Sequence, residues 1–106
     1  MNSASPIFST LSDDPDYGEL VILYVDEMPR RISAMQQALE SGDLEGLVRQ
    51  VHQMKGAAGS YGFPELSESA ANTESQLTNA PDEASILRSV NELIGVCNRL
   101  KARELS

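Results

Sequence analysis

The chain has 106 residues, 16 acidic against 8 basic, for a net charge of −8: one domain, long enough to bury its own core without disulfides or metal, too short to add a kinase domain. The charge excludes a nucleic-acid backbone as partner, since that binding needs clustered lysine and arginine, and no such cluster occurs. A membrane partner is excluded as well, because the longest strongly apolar run, Leu20 to Val25, falls far below the roughly 20 residues that cross a bilayer, and no signal-peptide pattern precedes it.

Residues 1–13, rich in serine and interrupted by Pro6, read as a flexible N-terminal arm that Ile7, Phe8 and Leu11 pin to the rest. Residues 14–106 read as one helical bundle domain. Asp14 and Pro15 signal a helix start, by capping and by proline at the first helical position. This short helix carries Leu20, Val21, Leu23 and Tyr24 to about Met28, and Pro29 begins a second helix or kinks a continuous one. The second stretch turns Ile32, Met35 and Leu39 inward and ends near Gly42.

Asp43 caps the third helix. Its apolar stripe, Leu44, Leu47, Val48, Val51, Met54, Ala58 and Tyr61, follows the three- and four-residue spacing of a core-facing helix, and the segment closes near Gly62. Pro64 restarts the chain into a helix reaching about Asn79, with Leu66, Ala70, Thr73 and Leu77 on one face. A last helix is predicted from Pro81 or Asp82 to about Glu104, offering Ile86, Leu87, Val90, Leu93, Ile94, Cys97 and Leu100 to the core. Cys97 is the single cysteine, so no internal disulfide is possible, and its apolar setting predicts a buried thiol in a reducing cytoplasm. No strand signal stands out between the helices. Short connections between long amphipathic helices favour antiparallel neighbours, so the predicted fold is all-α, an up-and-down four-helix bundle with a short extra N-terminal helix.

The single histidine, His52, lies in the third helix within Val51-His52-Gln53-Met54-Lys55-Gly56-Ala57-Ala58-Gly59-Ser60-Tyr61-Gly62. At about 100° per residue, positions 52, 55, 56 and 59 form one patch. His52 sits at the edge of the apolar stripe, and Lys55 runs its methylenes along it with the ammonium outward. Gly56 and Gly59 place no side chain beside the imidazole, which gives a partner close access. Each costs roughly 1 kcal/mol relative to alanine inside a helix, a penalty with no purely structural reason. Taken singly these residues are ordinary: a surface histidine, a solvated lysine, glycines of a helix end. Their coincidence is what points to function.

The run resembles the histidine-containing phosphotransfer (HPt) domains, whose motif is His-x-x-Lys-Gly followed by small residues and a later glycine. His52, Lys55, Gly56 and Gly59 match it, with Gly62 closing the segment, and the helix order and length resemble a complete domain of that family. The resemblance implies that His52 is the phosphoacceptor of a two-component phosphorelay, that Lys55 stabilises the phosphoryl oxygens, and that Gly56 and Gly59 admit a receiver domain's phospho-aspartate pocket. It implies partners among response-regulator receiver domains or a hybrid sensor histidine kinase. It also implies no cofactor of the chain's own, with Mg²⁺ on the receiver. A neutral imidazole has a lone pair suited to in-line attack on phosphorus, and phosphoryl transfer needs positioning and charge stabilisation above all. No phosphate-binding loop of the Gly-x-x-x-x-Gly-Lys-Ser/Thr type is present, so a phosphocarrier without kinase activity of its own is expected.

Two alternatives stay open at this level: a domain phosphorylated directly by a kinase in trans, and a helical adaptor whose His52 is incidental. With one histidine, a Ser/His/Asp or Cys/His hydrolytic site has little to build on. A monomer is the expectation for a bundle whose apolar stripes are satisfied internally.

Overall fold

The computed structural model describes residues 5–79 and 82–102. In chain order these form β1 (Ile7–Phe8), α1 (Gly18–Asp26), α2 (Met28–Ser41), α3 (Leu44–Ser60), α4 (Pro64–Thr78), α5 (Glu83–Cys97) and β2 (Leu100–Lys101). Helices α2 to α5 make an antiparallel four-helix bundle in which α3 packs on α2 and α4, and α5 closes the ring against α4 and α2. The short α1 lies beside it as the extra N-terminal helix.

Local chemistry sets the breaks. Helix α2 ends at Gly42, which takes the left-handed conformation (φ 74°) while the Asp43 N–H donates to the Ala38 carbonyl at 2.9 Å, a Schellman closure. Asp43 then begins α3 by accepting the Gly46 N–H on its carboxylate at 2.9 Å. The same device recurs at the other end of α3. Gly62 has φ 81° and the Phe63 N–H donates to the Ala58 carbonyl at 2.8 Å, after which Pro64 opens α4. Asp82 caps α5 through the Ser85 N–H at 2.8 Å.

The core between the helices holds Met35, Leu47, Val51, Met54, Leu66, Ala70, Val90 and Leu93, all essentially sealed from water. Each large member contributes about 1.5–3 kcal/mol by burial. Tyr24 of α1 stacks on Tyr61 (ring centroids 4.7 Å apart) and Phe63 (6.2 Å), which ties α1 to the α3–α4 corner. Burial pushes the Tyr24 hydroxyl up to about 12.

Several expectations need correction. Helix α1 starts at Gly18, not after Asp14: the Asp14 carboxylate accepts the N–H groups of Asp16 (2.7 Å) and Tyr17 (3.2 Å) and makes a separate turn. Leu44 and Leu87, read as core, stand 40 % and 50 % exposed, and Ser89 is buried on α5, hydrogen-bonded through its hydroxyl to the Ile86 carbonyl and through its own carbonyl to Thr73. Helix α5 stops at Cys97 and does not run on toward Glu104; the positions proposed for its ends, Pro81 and Glu104, lie outside the described residues. Leu100 is buried as expected, but on β2, which pairs in parallel with β1 in the register Ile7 to Leu100. These two short strands lie before α1 and after α5, so none falls between the helices. The segment read as a flexible arm is described from residue 5, and from there it is laced to the bundle. Ser9 donates to the Tyr61 carbonyl at 2.6 Å, the Thr10 N–H to that of Gly62 at 2.8 Å, and Ser12 to that of Ala102 at 2.6 Å.

Candidate functional site

The middle of α3 presents His52, the ninth of the seventeen residues from Leu44 to Ser60. Val51 and Met54 on either side are buried and fix the helix rotation. The imidazole therefore emerges on the outer flank, with its side chain 64 % exposed. A rigid helix on both sides holds it to a narrow range of positions, which suits a reaction that depends on alignment.

The ring is tied down by a residue that sequence reading missed. His52 Nδ1 lies 2.9 Å from Oε2 of Glu74 on α4, and Lys55 Nζ lies 2.8 Å from Oε1 of the same carboxylate. The Lys55 ammonium and the His52 imidazole hold Glu74 below the usual carboxylate range, the lysine hydrogen bond being the larger cause. An ionised carboxylate only accepts, so Nδ1 carries the proton in this pair. In the neutral ring Nε2 then keeps the lone pair, on a side chain that is mostly exposed. His52 and Glu74 sit eleven residues on either side of Phe63, at the α3–α4 corner, so a strict antiparallel hairpin about that point sets them opposite each other. That symmetry was the available signal.

Lys55 is about one-third exposed. Its backbone carbonyl accepts the Ser67 hydroxyl at 2.9 Å, a second tie between α3 and α4 beside the site. Gly56 and Gly59 are both at the surface. A Cβ on Gly56 would meet nothing within 4 Å, and one on Gly59 only the Ser67 hydroxyl oxygen at 3.7 Å, an ordinary contact. Nothing among the described residues requires glycine at either position. The structure thus brings all four residues singled out in the sequence to one face and adds Glu74. Among the described residues no group of three or more His, Cys, Asp or Glu side chains is arranged to hold a metal ion.

Fold and site together define a helical bundle that displays one exposed histidine, oriented by a carboxylate and flanked by a lysine and two bare glycines. The profile of the Hpt domain family matches residues 19–103. The chain belongs to that family, which carries out histidine phosphotransfer in two-component phosphorelays and whose members interact with receiver domains and kinases. Neither the curated proteins nor the solved structures gave a match to this chain. No helix among the described residues is long and apolar enough to cross a membrane.

Proposed function

We propose that this protein is a phosphorelay carrier that accepts a phosphoryl group on His52 from a receiver-domain phospho-aspartate and passes it to another receiver. The observation that carries this reading is the pairing of His52 Nδ1 with Glu74, which supports Nε2 of the neutral ring as the nucleophile. In the accepting step the Nε2 lone pair attacks phosphorus in line. A N–P bond forms as the P–O bond to the aspartyl carboxylate breaks, and that carboxylate leaves with the electron pair. The Nδ1 proton stays against Glu74, whose negative charge offsets the positive charge that the ring acquires.

Lys55 stabilises the incoming phosphoryl oxygens by swinging its flexible stem from Glu74 toward Nε2. Gly56 and Gly59 admit the receiver's pocket. The Mg²⁺ that such a transfer uses belongs to the receiver, and this chain supplies no cofactor. The carrier works as a monomer in the cytoplasm, a setting supported by its single cysteine, Cys97, which is buried.

The test is transfer from a phosphorylated receiver domain with Mg²⁺ to the wild type and to His52→Gln. An acid-labile, base-stable label on the wild type, absent from the variant, is expected. Label gained only from a kinase domain and ATP would make the protein a direct kinase substrate, and label gained from neither would leave it an adaptor.

A further inference from the structure

At the end of the bundle away from the β1–β2 pair, the last turn of α2 and the first turns of α3 and α5 border a groove of about 700 Å³. Its apolar lining includes Leu39, Leu47 and Ile86, and its lips are Leu44 and Leu87, the two leucines that the core leaves 40 % and 50 % exposed. A lone exposed leucine is unremarked on a protein surface. Two of them flanking a preformed apolar groove make a contiguous patch of the kind that marks an interaction site.

The charged side chains that line the groove have one sign, and the nearest cation in sequence, Arg88 after Leu87, is not among them. Glu40 and Glu83 line the groove and no lysine or arginine does, while Glu45 stands next to Leu44. None of these three pairs with a cation among the described residues. Asp43 and Asp82, at the same end, are engaged on helix N–H groups.

That charge selects the occupant. A second copy joined through a two-fold axis would bring the same patch against itself, carboxylates facing carboxylates in a drying rim. Anionic lipid is repelled for the same reason. A helix with apolar residues at i, i+3 or i+4 and i+7 fills the leucine floor, and lysine or arginine on its flanks meets the glutamates. We propose that this groove docks a basic amphipathic helix of a partner protein, at a site separate from the phosphotransfer face. Leu44 lies eight residues before His52, about 12 Å along the α3 axis, and Leu47 points about 140° away from it.

The experiment is an NMR titration of the full chain with an amphipathic leucine–lysine peptide of about 18 residues, against a matched peptide with glutamate in place of lysine. Saturable amide shifts centred on Leu39, Leu44, Ile86 and Leu87 are expected with the basic peptide alone. Leu87→Ser, and separately Glu40→Lys with Glu83→Lys, should weaken binding roughly tenfold or more with helix content and phosphotransfer unchanged. The proposal is overturned by shifts scattered elsewhere, by no saturable binding up to millimolar peptide, or by equal binding of the acidic peptide. It is also overturned if the chain dimerises through this face and Leu87→Ser makes it monomeric, which would assign the groove to a second copy.

Discussion

The two nitrogens of His52 have different surroundings, and the difference comes from one side chain on the neighbouring helix. Glu74 holds Nδ1 at 2.9 Å and Lys55 at 2.8 Å, so replacing it by glutamine removes both the tautomer control and, in the proposed mechanism, the charge that offsets the phosphorylated ring. Glu74→Gln is expected to slow phosphoryl transfer roughly ten- to hundredfold, by analogy with the loss of the hydrogen-bonded partner of a metal-ligating histidine; single-turnover transfer kinetics check this. The same pair links stability to pH. Because the folded protein lowers the Glu74 pKa from its ordinary 4.5, the stabilisation is fully present above that value and is lost as pH falls through the lowered one. The stability difference between wild type and Glu74→Gln, read from urea denaturation, should therefore be small and constant near neutral pH and close at acidic pH. Cys97 has the opposite character: burial pushes its thiol up to about 12. It should resist a thiol reagent in the native protein and react at once in denaturant. At this scale His52 and Lys55 were legible from their spacing within one helix. Glu74 was not, because its role depends on the pairing of two helices.

Glycine has two different meanings in α3 and its exit, and substitution separates them. Gly62 sits at φ 81°, and a Cβ there would come within 2.6 Å of the Ser9 hydroxyl and 3.0 Å of the Leu11 backbone nitrogen. Gly62→Ala should cost about 1–3 kcal/mol from backbone strain alone, measured by chemical denaturation. Gly56 is helical and open. Gly56→Ala should stabilise the isolated protein by roughly 0.5–1 kcal/mol while slowing transfer from a receiver, since the added methyl lies where the partner approaches. If it stabilises and transfers normally, the partner-access role of Gly56 is wrong. Helix α3 was readable nearly to the residue because Asp43 and Gly62 mark its ends. The end of α5 was not: nothing local to Asn98 and Arg99 tells that Leu100 will leave the helix to pair with Ile7, ninety-three positions away in sequence. The start of α1 was misplaced for a related reason, since the Asp14 carboxylate caps a turn as readily as a helix.

At the scale of the whole molecule, the bundle was legible because its helices carry period-3.6 stripes joined by short, punctuated connections, and antiparallel packing is the economical way to bury them. What periodicity did not resolve was the rim. Leu44 and Leu87 satisfy the core pattern yet lie within the first two turns of their helices, where the bundle opens. On the proposed function the molecule as a whole is a rigid mount for one nucleophile, and the metal belongs to its partner. EDTA should accordingly stop transfer from a phospho-receiver yet leave the lifetime of phosphohistidine on the isolated chain unchanged, as followed by loss of label. The most direct test of the account is the position of the phosphoryl group itself, by phosphorus and nitrogen NMR of the phosphorylated wild type. Phosphorus bonded to Nε2 of His52 is the predicted result. A phosphoryl group on Nδ1, or on any residue other than His52, would contradict it.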